Sequence, residues 1–130
     1  MYKLPNDFDP LLLSGCYLET ISFGSCLTRF DFSRPQLTIG GAIYRVSFNV
    51  EGGLKYFINN TNGHRDFENS YTSAPLIDLL LKDVESVSVL AGDTLQILFY
   101  SGDAVIIEGD ADSEFEAYSI FLSSGDIIVI

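Results

Sequence analysis

At 130 residues, with seven Lys or Arg against eighteen Asp or Glu and a formal net charge of −11, the chain is a poor partner for nucleic acid or anionic membrane. It favours cations or basic proteins instead. An apolar content of 47%, with ten Phe and seven Tyr, excludes a disordered acidic chain and predicts one folded domain over residues 1–130 that needs neither metal nor disulfide.

The first fifteen residues, MYKLPNDFDPLLLSG, hold an apolar run of only Leu11 to Leu13, too short for a secretion signal or a membrane span, and the expected compartment is the cytoplasm. Tyr17 to Phe23 alternates and predicts a half-buried strand, followed by a second from Leu27 to Phe32 with Phe30 and Phe32 inward and Arg29 and Asp31 outward. If Gly24-Ser25 closes that hairpin, Phe23 faces Cys26 and Cys16 lies opposite Ser33. The two sulfurs are then about 20 Å apart, since a strand advances about 3.3 Å per residue, and both thiols are expected to be reduced. Leu37 to Ile39 and Ala42 to Val50 complete the first half as strands, separated by Gly40-Gly41.

Leu54 to Ile58 predicts a short strand. The Asn-rich, aperiodic stretch Asn59 to Ser73 predicts a long surface loop. Pro75 then opens an apolar helix of about two turns, to Lys82, that plugs one end of the sheet. From Val84 the pattern is a β-meander: Val84 to Ala91, Thr94 to Tyr100 and Ala104 to Glu108, parted by Gly92-Asp93 and Ser101-Gly102-Asp103. Phe115 to Leu122 and Ile127 to Ile130 make a last hairpin.

The two halves match one another. Leu27 to Ile39 aligns with Leu95 to Ile107 without a gap, so that outward Arg29, Asp31 and Thr38 become Ile97, Phe99 and Ile106. Two related three-stranded units are expected, the second apolar on both faces and central. The predicted fold is therefore mostly β, with antiparallel sheets forming a sandwich or a partly open barrel, and one short helix.

Charge is distributed unevenly along the chain. From Asp83 onward there are ten carboxylates and no Lys or Arg. Asp110, Asp112, Glu114 and Glu116 recur at every second position, which on a strand gathers them on one side. They do not make a calcium loop, because Phe115 stands where such a loop needs Gly and Phe121 where it needs Glu. The alternatives are a solubilising surface or a docking face. The candidate partner-binding residues are Asp103, Glu108, Asp110, Asp112, Glu114 and Glu116, with Arg65, Asp66 and Glu68 of the long loop at the rim. His64, the single histidine, has no adjacent nucleophile and no second His, and no catalytic constellation, metal site or cofactor is expected.

Leu13-Ser14-Gly15, Ser73-Ala74-Pro75-Leu76 with Leu79-Leu80-Leu81, the Leu95-x-Ile97-x-Phe99-x-x-Gly102 run and Glu116-Ala117-Tyr118 together resemble a family of small bacterial β-rich proteins with no assigned activity. That family usually closes on Glu-Ala-Trp and a glycine-rich tail; here Tyr118 replaces the Trp. Small acidic proteins of this sort are similar to immunity proteins of contact-dependent and other polymorphic toxin systems. The resemblance implies an immunity protein, and the carboxylate face leads to the expectation of a non-enzymatic inhibitor that occludes the cationic active site of a basic toxin, a nuclease by preference. The other expectation is a structural or ligand-binding β-domain whose acidity keeps it dispersed.

Overall fold

The computed structural model describes residues 3–36, 38–109 and 116–130. Among the described residues ten strands form two five-stranded antiparallel sheets. The first, in the order β1 (Tyr17–Gly24), β2 (Leu27–Ser33), β3 (Arg45–Val50), β9 (Tyr118–Phe121) and β10 (Ile127–Val129), faces the second, β5 (Thr61–His64), β4 (Leu54–Ile58), β8 (Ala104–Ile107), β7 (Thr94–Phe99) and β6 (Val84–Leu90). The sheets are stacked rather than closed into a barrel, which resolves the architecture as a sandwich.

Strand alternation explains the core. Phe30, Phe32 and Phe48 point inward from the first sheet and Leu95, Ile97, Phe99 and Ile107 from the second, all fully buried. Phe32 joins the layers: its ring lies 6.5 Å from Phe99 across the interface and 5.8 Å, edge-on, from Phe48 within its own sheet. At one corner the sheets are stitched together. Leu18 N–H donates to the Lys82 carbonyl (3.1 Å), Leu81 N–H to the Leu18 carbonyl (2.8 Å) and Val84 N–H to the Cys16 carbonyl (2.9 Å). Beside this corner both long edge strands bulge, β1 at Glu19 and β6 at Glu85.

Several expectations need correction. Gly24 pairs with Leu27, so the turn is Ser25-Cys26 and Phe23 faces Thr28 rather than Cys26; the bulge at Glu19 takes back one position, and Ser33 faces Tyr17 rather than Cys16. Both cysteines are free, Cys16 buried and Cys26 exposed. Thr38 to Gly41 form a bend and turn, not a strand, with Ile39 fully exposed; Leu37 lies outside the described residues, and β3 begins only at Arg45. The gapless match between the halves also has the wrong facing. Ile97 and Phe99 are inward where Arg29 and Asp31 are outward, because a one-residue slip inverts every side chain of a strand. Within the second unit β7 and β8 are central, but β6 is an edge.

The stretch expected to be a loop is largely ordered. Asn59 and Asn60 adopt left-handed φ of 52° and 64°, which their short side chains tolerate, and so close a β4–β5 hairpin. A 3₁₀ helix then runs Ser70–Leu79, capped by the Asn69 side chain and with Pro75 inside it, five residues earlier than expected and ending short of Lys82. It supplies the expected plug, since Leu76 and Leu79 are fully buried. The closing hairpin is shorter than expected, and Phe115 lies outside the described residues.

Candidate functional site

The candidate residues that the structure describes divide between the two ends of the sandwich. Strand β8 runs from Ala104 to Ile107, so Asp103 and Glu108 flank it at opposite ends, about 16 Å apart at 3.3 Å per residue.

Asp103 is not part of a solvated acidic face: it is 6% exposed. Its carboxylate accepts from Lys82 Nζ at 2.6 Å, Ser101 Oγ at 2.7 Å and the Asn59 backbone N–H at 3.0 Å. Asn59 Nδ2 donates in turn to Asp78 (2.9 Å). The β4–β5 turn, the link to β6 and the β7–β8 turn are thus tied at one carboxylate, and Asn59 joins the 3₁₀ helix to them through Asp78. Burial alone disfavours its charged form, but the hydrogen bonds from Lys82, Ser101 and Asn59 together outweigh burial and hold the Asp103 carboxyl below the usual carboxylate range.

At the other end Glu108 forms an ion pair with Lys55 at 3.0 Å, both partly exposed. Glu116 is exposed, next to Ala117, whose carbonyl accepts from the Glu51 N–H. Asp110, Asp112 and Glu114 lie outside the described residues.

Arg65 is a clasp more than a rim charge. Its guanidinium donates to the Gly24 carbonyl (2.7 Å), to the Leu27 carbonyl and to Thr28 Oγ1, and it stacks between Phe67 (4.8 Å) and Phe23 (5.2 Å). It therefore locks the β1–β2 turn of one sheet to the segment after β5 of the other, and burial lowers its pKa. Asp66 is also structural. It accepts the Glu68 N–H at 2.9 Å and pairs across a bridge with Asn69, which leaves Glu68 as the exposed acid of this segment. His64 is exposed at the end of β5, opposite Lys55.

Two features were not read from the sequence. The second unit, expected to be covered on both faces, instead leaves Ile106 on the outer face of its sheet, where with Phe57, Leu98 and Ala104 it lines a groove bounded by Lys55 and Gln96. The cations are also nearly all engaged: Arg29, Arg45, Lys55 and Lys82 form ion pairs, and Arg34 donates to the Ser14 carbonyl while covering the Tyr44 ring at 3.7 Å. Among the described residues no group of three or more His, Cys, Asp or Glu is placed to hold a metal, and no helix is long and apolar enough to cross a membrane. Comparison with known proteins finds no matching family model, no matching characterised protein and no matching solved structure.

Proposed function

We propose that this chain is an immunity protein, acting in the cytoplasm, that binds a basic nuclease-type toxin domain and covers its active site. The observation that carries this reading is where the positive charge goes. Six of the seven bases are occupied in ion pairs or in clasps on backbone carbonyls, while Glu51, Glu68, Asp78, Glu85, Glu116 and Asp126 remain exposed outside those pairs. The outward field of the folded chain is therefore negative. A nuclease presents a cationic cleft to phosphates, and a negative body of this size is steered onto such a cleft and excludes the substrate from it.

The test is to titrate this protein into the basic C-terminal domain of a secreted protein encoded by the neighbouring gene and to follow nucleic-acid cleavage. Stoichiometric loss of cleavage is expected; full cleavage at large excess of this protein refutes the reading. A second reading, a ligand-binding β-domain, is favoured by the outer groove of Phe57, Leu98 and Ile106. It predicts binding of small apolar compounds and no tight basic protein partner.

A further inference from the structure

Leu81 occupies a position that its own backbone disfavours. The 3₁₀ helix stops at Leu79, Leu80 turns extended, and Leu81 has a φ of 67°, the left-handed region in which a Cβ is strained and glycine is the usual occupant after a helix end. The local backbone is held by bonds that make no use of the side chain: Leu81 N–H donates to the Leu18 carbonyl (2.8 Å) and Lys82 N–H to the Leu79 carbonyl (3.1 Å). The side chain itself is 75% exposed. Glycine would serve this turn at less strain, so the isobutyl group is retained at a cost that its packing within the fold does not offset.

Its surroundings share the same character. Tyr100, whose N–H donates to the Asp83 carbonyl, is 72% exposed, and Ile77, whose carbonyl accepts from Leu80 N–H, is 53% exposed. Asp78 and Asp83 are exposed among them, and the one base in the group, Lys82, is engaged by Asp103. The bonds from Asn59, Lys82 and Ser101 to Asp103 hold these segments in fixed relation.

We infer that this end of the sandwich, with Leu81 at its centre flanked by Ile77, Tyr100, Asp78 and Asp83, is the docking surface for a basic protein segment that carries apolar side chains between its Lys or Arg residues. The carboxylates orient the cations, and Leu81 and Tyr100 supply the desolvated centre that a purely electrostatic contact lacks. Charge complementarity selects the occupant: a second copy of this chain would bring like charge to Asp78 and Asp83. The inference rests on the basic-partner reading above and adds where that partner sits.

The experiment maps amide shifts of the labelled full chain on addition of a short synthetic peptide of alternating lysine and leucine, with oligolysine of equal charge as the comparison. Shifts concentrated at residues 77–83 and 100–101 are expected, stronger with the leucine-bearing peptide. Leu81→Gly is expected to weaken that binding about tenfold while its melting temperature equals or exceeds that of the parent. Tyr100→Ser is expected to weaken it by a similar factor. Shifts spread over the whole molecule, or a Leu81→Gly variant that binds like the parent, overturn this surface and leave the basic-partner reading standing. If neither peptide binds at low salt, both fall together.

Discussion

Lys82 and Asp103 meet at 2.6 Å, and the carboxylate side of the pair is almost wholly withdrawn from solvent. This placement makes a structural element of a turn residue expected to belong to a partner-binding acidic face. Removing the carboxylate strands a lysine, a serine hydroxyl and the Asn59 N–H together, so Asp103→Ala is expected to cost about 3 kcal/mol of stability. Chemical denaturation measures this; a loss in partner binding with unchanged stability would instead return Asp103 to the interface.

The same pair sets the acid limb of the stability curve. The folded-state carboxyl lies below its unfolded value, so its contribution is present in full above the unfolded value of about 3.9 and is lost as pH falls through the folded one. Asp103→Asn is therefore expected to flatten the dependence of unfolding free energy on pH below about pH 4. Urea titrations across that range, on parent and variant, check the sign.

Arg65→Ala is expected to destabilise the fold by about 2 kcal/mol, because the Gly24 and Leu27 carbonyls and Thr28 Oγ1 lose a shared donor. Arg65→Lys keeps the charge and loses the fork, and should recover only part of this. Hydrogen exchange at residues 24–28 should quicken in both. Full recovery by lysine would mean that charge, not geometry, is what matters at this position.

The two thiols should differ in reactivity. Cys26 sits exposed in the β1–β2 turn, whereas Cys16 is buried and burial pushes its thiol pKa up against an opposing pull from Arg34. A thiol reagent at neutral pH should label one site rapidly in the native protein and the second only on unfolding. Equal rates would contradict the packing around Cys16.

Charge reversal of Asp110, Asp112 and Glu114 to lysine tests the acidic run directly. Association with the basic domain should slow about tenfold at low ionic strength, with a shallower salt dependence and with both proteins converging at high salt. Stopped-flow mixing at several salt concentrations reads this, and unchanged rates throughout would remove the run from the encounter.

The strands were legible wherever alternation ran unbroken, as in Leu95, Ile97 and Phe99, because the period of two is written into adjacent residues. The hairpin at Asn59-Asn60 carries a sequence signal of its own, since paired asparagines tolerate the left-handed turn. Asp103 and Arg65 left none. Their partners lie up to 44 and 41 positions away, and only the stacking of the sheets brings them together. The repeat misled because matching residue types does not fix which face they take: Phe30 and Leu98 align in sequence and point to opposite sides.

The bulged glutamates Glu19 and Glu85 sit on the two long outer strands, and the remaining outer strands, β5 and β10, are only four and three residues long. A neighbouring copy seeking to add its own strand meets either a kinked, charged border or one too short to template a ladder. These borders work against edge-to-edge strand addition between copies of the chain.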